Sequence, residues 1–545
     1  MKIRKISPLM VTAATMVASV LPIQAIAQQT AQQTAQQTAE QIIKNNCLAC
    51  HTEESAGSQW SRMSHQRKSP EGWLMTIGRM QVMHGLKIND DDRRTLVKYF
   101  SDRQGLAPEE SQNYRYAMER RLNTQEVNES DDMAQMRSRC HTEARVMLQR
   151  RPATEWEHLV HFHLGQWPTV EYQAMGRDRD WLGTALNTMV PKLAKLLPLE
   201  TKAWSQWQKA TKPVITGEWR FSGNMPGKGA LEGTMAISGS DAEGYQLNLA
   251  GNYADGSAFK GRGQGVVYTG YEWRANVNIG GIKMRQVLAA SKDGTQLEGR
   301  MFEVLHDEIG MDLSATKNTG ITNQVLAVQP GHIKAGTTQQ LTIVGNNLSD
   351  SPLDKLDLGK GIQVAKVLSS SSQRLVVEAV AKSDAPLGSR SIKLGGNKGA
   401  ELNVYDRVGS VQVVPAFAVS RVGGNGGSSA KVTAAFLAEG WAPGKDGKAG
   451  TQDDQRIGFL PASWSVAPFD QTAVTDKDTH FSGRMDAVKG VFTPALAGPN
   501  PDRRMSTNNA GNLKVVAQLN DAGQAISGEG QMIVTIQRWN NPPLP

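Results

Sequence analysis

The stretch Cys47-Leu48-Ala49-Cys50-His51 decides how the first third of this chain folds, because it reads C-x-x-C-H. In this motif each thiol forms a thioether to a vinyl group of a porphyrin, and the histidine binds the iron. The spacing therefore predicts a covalent haem c on Cys47 and Cys50, with His51 as the proximal ligand. A Cys47–Cys50 disulfide and half of a zinc site are the alternatives, but no further Cys or His at ligand spacing favours zinc.

The sequence before this motif is typical of an exported protein. A basic start precedes an apolar run over residues 9–21, and Ala25-Ile26-Ala27 follows as a small-x-small cleavage pattern. These features predict a signal peptide over residues 1–27, cut after Ala27, and a periplasmic location. Residues 28–39 repeat Gln-Gln-Thr-Ala and are predicted to form a flexible leader. No later stretch is long and apolar enough to predict a membrane span.

After the haem motif, an internal repeat indicates two tandem cytochrome-like halves. Residues Arg67–Trp73 read RKSPEGW, and Arg150–Trp156 read RRPATEW. Each copy follows a Cys-His pair, which is Cys50-His51 in the first half and Cys140-His141 in the second. The repetition predicts a second haem-shaped site built around His141.

Aligning the two tryptophans predicts the distal ligands. Met80 lies seven residues after Trp73, and His163 lies seven residues after Trp156. Both side chains are axial ligand types for haem. We therefore expect His51 and Met80 at the first iron and His141 and His163 at the second. The competing candidates are His84, Met83, His161 and Met175.

The second motif lacks one thiol, because Arg137 stands three positions before Cys140, where the first cysteine belongs. Three outcomes stay open: a haem held by one thioether through Cys140, a haem without the normal attachment, or a lost site. Arg137 can donate hydrogen bonds to a propionate but cannot form the missing bond.

Length and patterning predict a multidomain α plus all-β chain. The 545 residues exceed what one core can hold, and the net charge of +8 is dispersed, which does not favour nucleic-acid binding.

Capping and apolar spacing predict a helical di-haem cytochrome c domain, with an N-cap at Asn89 or Asp90 and further helices at about 111–121, 133–147 and 180–197. Alternating apolar residues punctuated by glycine predict β structure from about residue 205 onward. The predicted domains are 40–204 (di-haem), 205–322 (β-barrel or sandwich), 323–406 (immunoglobulin-like) and 407–545 (β-sandwich).

The β half offers no catalytic constellation at the level of sequence. It contains no G-x-S-x-G, H-E-x-x-H or phosphate-binding glycine loop. The acidic stretch Asp446–Asp454 could bind calcium through carboxylates, but it does not fit the EF-hand pattern. A solvated loop is the alternative there. We therefore assign no catalytic residue in this chain.

The whole organisation resembles the alpha subunit, a di-haem cytochrome, of quinohaemoprotein amine dehydrogenase. The resemblance is carried by Cys47–His51, by GRMQVMHGL around Met80 and His84, and by HFHLGQWPTVEYQAMGRDRDW from His161 to Trp181. A complete second motif in that family has both cysteines, and Arg137 departs from it.

The resemblance implies an electron conduit within a heterotrimer that oxidises primary amines to aldehydes. The amine would be oxidised at a cysteine tryptophylquinone on a small partner subunit, beside a β-propeller subunit. Electrons would pass through the haems to a soluble acceptor, either a blue copper protein or a cytochrome. An autonomous di-haem peroxidase and a secreted binding protein that uses its immunoglobulin-like domain are the alternatives.

Overall fold

The computed structural model describes residues 20–536, apart from 56–58, 122–123, 125, 128, 139–140, 172–179, 321–322, 351–352, 396 and 426–429. A helical part is followed by a closed eight-stranded barrel and then by two further β units. This architecture confirms the predicted fold class, in which a helical haem domain precedes three β domains.

The helical part contains eleven helices among its described residues. They are α1 (Val20–Asn46), α2 (Pro70–His84), α3 (Asp90–Arg103), α4 (Pro108–Ser111), α5 (Arg115–Met118), α6 (Asp131–Met133), α7 (Ala144–Met147), α8 (Ala153–Gln166), α9 (Trp181–Thr184), α10 (Val190–Leu196) and α11 (Lys202–Lys209). Four short strands accompany them: β1 (Glu53–Ser55), β2 (Gln59–Trp60), β3 (Arg67–Lys68) and β4 (Gln149–Arg150). Two π-helical turns, Ala134–Ser138 and Ala185–Met189, continue α6 and α9.

The predicted flexible leader, residues 28–39, is helical and forms the middle of α1. Alanine and glutamine are good helix formers. Side chains four residues apart also bond along the helix surface, with Gln36 donating to Glu40 at 2.8 Å and Gln41 donating to Asn45 at 2.8 Å. Residues 1–19 of the predicted signal peptide lie outside the described residues.

The helices α2 and α3 begin where capping residues predict. Ser69 accepts the Gly72 amide at 3.2 Å before Pro70 in the first turn of α2. Asn89, one of the two residues predicted as the N-cap, accepts the Asp92 amide at 2.8 Å at the start of α3. The helices predicted at 111–121, 133–147 and 180–197 are instead broken into short helical and π-helical pieces.

The two repeats meet through their equivalent arginines. Strands β3 and β4 pair antiparallel, so that Arg67 lies opposite Arg150. Both guanidinium groups donate to Glu110, Arg67 Nη1 to Oε2 at 2.8 Å and Arg150 Nε to Oε1 at 3.2 Å. All three side chains are buried. We call this arrangement the Glu110 junction, and it fixes the two haem-motif halves to each other.

The barrel corresponds to the second predicted domain. Its strands are β5 (Gly217–Met225), β6 (Gly229–Ser240), β7 (Gly244–Tyr253), β8 (Ala258–Tyr268), β9 (Glu272–Ile279), β10 (Ile282–Ala290), β11 (Gln296–Glu303) and β12 (Gly310–Lys317). Each strand pairs antiparallel with its neighbours, and β12 closes the barrel on β5. Large side chains such as Trp219, Phe221 and Trp273 are fully buried, so a packed apolar core fills the barrel.

The barrel packs directly on the helical part. Arg274 of β9 bonds to Glu71 of α2 at 2.6 Å. The Thr269 amide donates to Asp102 at 2.7 Å, and Trp207 of α11 donates to the Thr269 carbonyl at 2.8 Å. The start of α2 is therefore fixed against the barrel.

The second β unit is a sandwich of two four-stranded sheets around a shared apolar core. Its strands are β13 (Gln324–Gln329), β14 (His332–Lys334), β15 (Thr338–Asn346), β16 (Leu356–Asp357), β17 (Ile362–Ser370), β18 (Arg374–Ala381), β19 (Gly388–Leu394) and β20 (Asn397–Tyr405).

The last unit combines three sheets with two short helices. Its elements are β21 (Ser410–Val414), β22 (Phe417–Arg421), β23 (Ala434–Ala435), β24 (Leu437–Ala442), β25 (Gln455–Leu460), β26 (Ser463–Pro468), α12 (Gln471–Thr475), α13 (Asp478–Phe481), β27 (Gly483–Met485), β28 (Val491–Pro494), β29 (Gly511–Asp521) and β30 (Gln524–Thr535). Among the helices that the structure describes, none has the length and apolar character needed to cross a bilayer.

Candidate functional site

The C-x-x-C-H motif forms a tight turn directly after α1. The amide of His51 donates to the Cys47 carbonyl at 3.0 Å. The Nδ1 atom of His51 lies 2.9 Å from the Ser61 carbonyl, a geometry in which Nδ1 carries the proton. That tautomer leaves the lone pair on Nε2, as a metal-ligating imidazole requires.

The two thiols of this motif are free and form no disulfide. Cys47 is half-buried and packs against the apolar cluster that contains Ile43 and Ile77, whereas Cys50 is exposed. Burial raises the pKa of Cys47 to about 11, so its sulfur is a protonated thiol at neutral pH.

Met80 lies on the last turn of α2, one turn after Ile77. Its carbonyl accepts the amides of Gly85 and Leu86, which ends the helix there. Met80 is half-buried, while the competing candidates Met83 and His84 are exposed. Cys47 and Met80 thus belong to elements that meet in one apolar cluster.

A cavity of about 980 Å³ lies between α2 and α8. The lining includes both histidines predicted for the second iron, His141 and His163. The apolar part of the wall comes from both halves of the repeat and includes Leu74, Met75, Val146, Leu148, Leu159 and Phe162. The structure therefore brings the second predicted ligand pair to the lining of one cavity, and this lining does not include His51 or Met80.

Backbone carbonyls orient both of these imidazoles. Nδ1 of His163 lies 2.7 Å from the Leu159 carbonyl one turn earlier in α8. Nδ1 of His141 lies 2.9 Å from the Thr142 carbonyl. With the proton on Nδ1, the lone pair of each ring lies on Nε2, which is the tautomer that His51 also adopts and that a metal-ligating imidazole requires.

The competing ligand His161 points elsewhere. Its side chain is 54% exposed and approaches Glu157 at 4.0 Å. It is not part of the cavity lining. Met175 and Cys140 lie outside the described residues, as does the side chain of Arg137.

The cavity also carries positive charge from residues outside the predicted haem ligands. Lys68, Arg79, Arg145 and Arg151 line it. Lys68 and Arg151 occupy equivalent positions in the two repeats, and each stacks on the repeat's buried tryptophan, Trp73 or Trp156. The signal was present in the sequence, because both repeats begin with two consecutive basic residues.

One ion-pair chain leads from the cavity into the barrel. Glu71 lines the cavity and pairs with Arg274 at 2.6 Å, and Arg274 also pairs with Glu272 at 2.8 Å. Burial raises the pKa of Glu272 to about 7, against the opposing effect of Arg274. Arg274 thus has two carboxylates competing for it, and burial disfavours the charged form of Glu272.

These residues fit a haem. The cavity offers two nitrogen ligands, apolar walls for a flat macrocycle and several cations for its propionates. By contrast, no group of three His, Cys, Asp or Glu side chains able to hold a metal ion occurs in the part of the chain that the structure describes. In the Asp446–Asp454 loop, the three aspartates accept bonds from the loop itself, for example Gly450 N to Asp454 at 2.8 Å.

Comparison with known families accounts for nearly the whole chain. Residues 37–204 match the model described as quinohemoprotein amine dehydrogenase A, alpha subunit, haem binding. Residues 212–318, 322–406 and 411–544 match domains II, III and IV of the quinohemoprotein amine dehydrogenase alpha subunit. No curated protein sequence matches the chain.

Similarity to solved structures is low. A redesigned β-barrel, mFAP1, bound to DFHBI, is 16% identical with a TM-score of 0.17, covering 19% of this chain and 94% of that one. A SusE-like surface-located polysaccharide-binding protein from the Bacteroides thetaiotaomicron heparin utilisation locus is 9% identical with a TM-score of 0.11, covering 55% of this chain and 54% of that one.

Proposed function

Because this chain belongs to the quinohemoprotein amine dehydrogenase alpha-subunit family, we propose that it is the haem c conduit through which that enzyme loses its electrons. Membership makes the chain a haem-binding subunit of an oxidoreductase that works with partner subunits. The number of haems, their ligands and the route of the electrons are our proposal. The observation that carries it is the meeting of His141 and His163 on one cavity.

At the first site, Cys47 and Cys50 attach the porphyrin and His51 and Met80 bind the iron. The geometry of His51 supports this assignment, because its Nδ1 bond to Ser61 leaves Nε2 for the metal. The apolar cluster that Cys47 shares with Ile77 supports Met80, since a thioether ligand favours a dry environment.

At the second site, His141 and His163 bind the iron and Cys140 supplies one thioether. When bound, each haem iron supplies one-electron chemistry. Met ligation raises the potential of a c-type haem, so we expect the first site to have a higher potential than the bis-histidine second site.

Helix α2 connects the two sites. Arg79 lines the cavity of the second site, and the next residue, Met80, is the proposed ligand of the first. An α-helix with its side chains is about 10–12 Å across. Consecutive helical residues point about 100° apart, so the two sites share one helix, and this supports electron transfer between them.

The amine is oxidised elsewhere in the assembly. We assign the oxidation of primary amines to aldehydes to a cysteine tryptophylquinone on a small partner subunit, beside a β-propeller subunit. The three β units of this chain serve as scaffold and docking surface for those partners. Electrons leave to a soluble blue copper protein or cytochrome, and the signal-peptide pattern supports a periplasmic location for the whole heterotrimer.

The intact mass of the full-length chain tests the haem content. The chain is purified from a periplasm competent for haem attachment. A mass with two covalent haems is expected and means that Cys140 alone tethers a porphyrin. A mass with one covalent haem, together with one haem per chain in total, would refute the second site.

A ligand variant tests the geometry of the second site. His163→Ala is expected to remove the low-spin spectrum of one haem and leave the other unchanged. His161→Ala is the matched control, because that side chain lies two residues away and outside the cavity lining. Equal spectra for the two variants would contradict His163 as a ligand.

A further inference from the structure

The cavity between α2 and α8 concentrates positive charge on one wall. Lys68 and Arg151 are almost completely buried, at 3% exposed each. Arg79 is half-buried, and Arg145 stands exposed at the cavity edge. We call these four residues the cation cluster.

The members of the cation cluster act on one another. The pKa of Lys68 lies well below its usual value, because of its burial and then because of the charges of Arg151, Arg79 and Arg145. Like charges are therefore close together in a poorly solvated place, which is unfavourable for the protein alone.

The carboxylates nearby do not balance this charge. Glu155 lies 3.6 Å from Arg151, but it is also bonded to Arg62 at 2.7 Å and to His158 at 3.1 Å. Glu71, on the cavity lining, is paired with Arg274 of the barrel.

Two donors of the cluster indicate a place for further acceptors. Lys68 Nζ donates to a neutral hydroxyl, that of Thr76, at 2.6 Å. Arg79 Nε is buried and meets no hydrogen-bond acceptor among the described residues. The Arg79 guanidinium is held over Phe162, with 4.5 Å between its Cζ and the ring centroid. Phe162 precedes His163, so this cation is fixed next to a proposed iron ligand.

The ligand that suits this wall is anionic, carries more than one charge and has an apolar body. We propose that the cation cluster binds the two propionates of the haem held by His141 and His163, and that it supplies the retention which the missing thioether at Arg137 cannot. This inference rests on the proposed function, because it requires a haem in the cavity.

The pseudosymmetry of the fold explains why the cations meet. Pairing of β3 with β4 brings the two repeats together, and Lys68 and Arg151 are the residues that adjoin the paired arginines in sequence. Each keeps its contact with its own tryptophan. An anion bound between Lys68 and Arg151 would attract both cations and so offset their mutual repulsion.

The test measures how strongly the cation cluster retains the second haem when no thioether holds it. In a Cys140→Ser background the second haem is held without a thioether, while the first stays attached through Cys47 and Cys50 as an internal standard. The rate at which the second haem passes to added apomyoglobin is measured by absorbance on the full-length chain. Arg79→Gln is expected to raise this rate about tenfold to a hundredfold, as the loss of one charge-assisted hydrogen bond would.

Two further variants separate binding from folding. Arg94→Gln is the control, because Arg94 is an exposed arginine of α3 that pairs with Asp91 and does not line the cavity; its rate should match the parent. Lys68→Met removes a buried charge, so it should raise the melting temperature of the haem-free site while it speeds haem loss. If Lys68 were only structural, its replacement would lower the melting temperature as well as speed haem loss.

Each failure has its own signature. Two haems in the parent, with equal loss rates for Arg79→Gln and Arg94→Gln, would overturn the role of the cluster and leave the second haem in place. Complete absence of the second haem from the Cys140→Ser chain, while the parent holds two, would show that the thioether alone retains it and would also overturn that role. A parent with a single haem would refute the second site itself, and this proposal with it.

Discussion

Replacing Glu110 with Gln should weaken the whole haem domain, although Glu110 touches neither proposed iron site. Its carboxylate accepts bonds from Arg67 at 2.8 and 2.9 Å, from Arg150 at 3.2 Å and from Thr201 at 2.8 Å. Glutamine has nearly the same shape but no charge. The substitution would therefore leave two buried guanidinium groups at the Glu110 junction without a counterion.

The expected loss follows from that imbalance. Removing one partner of a buried ion pair costs about 3–5 kcal/mol, because the remaining charge stays desolvated. Hydrogen bonds from Arg67, together with the charges of Arg67 and Arg150, lower the pKa of Glu110 despite its burial. A carboxylate with a lowered pKa stabilises the fold at neutral pH, and this contribution is lost as the pH falls. The variant should therefore differ from the parent most at neutral pH and least in acid.

Urea unfolding of the full-length chain, followed through haem absorbance, measures this loss in the haem domain alone. Glu109→Gln is the matched control, because this neighbouring residue is exposed and pairs with Lys292 on the surface. An exposed pair contributes less than about 1 kcal/mol. If Glu110→Gln and Glu109→Gln shifted the haem-domain transition equally, the assigned role of the Glu110 junction would be refuted.

Three further predictions concern the barrel, the first iron and α3. A carboxyl group whose pKa is raised on folding lowers the free energy of unfolding as the pH rises from its unfolded-state to its folded-state pKa. Glu272→Gln should therefore stabilise the chain by up to about 3 kcal/mol at pH 8 and hardly at pH 4.5. Equal shifts in melting temperature at both pH values would contradict this. Met80→Ala should lower the potential of the first haem in a redox titration, whereas Met83→Ala, on the same helix, should not. Asn89→Ala should cost about 1 kcal/mol in thermal unfolding through loss of the α3 cap, and an unchanged melting temperature would count against that cap.

Much of the architecture could be predicted because its signals are local. Capping residues mark the start of α3, and glycine-punctuated alternation marks the barrel strands. The Cys-His pair selected His141, the alignment of Trp73 with Trp156 selected His163, and the structure brings both histidines to one cavity. A repeat is informative in this way because equivalent residues occupy equivalent places in the two copies.

The remainder depends on contacts that no local pattern shows. Glu110 lies outside both repeats, and its partners are 43 and 40 residues away. The cation cluster forms only because β3 and β4 pair. The repetitive composition of residues 28–39 predicts a flexible leader, yet its alanine and glutamine also favour the helix that the structure shows there.

The Glu110 junction has a consequence for the speed of electron transfer. A carrier that gains or loses charge must wait for the surrounding dipoles to rearrange, and fixed dipoles reduce that reorganisation. Two arginines from opposite halves, bonded to one buried carboxylate, leave the halves little freedom to shift when an electron arrives. The distance and the surroundings of the two irons would then be nearly the same before and after each transfer, so that the protein adds little to the barrier.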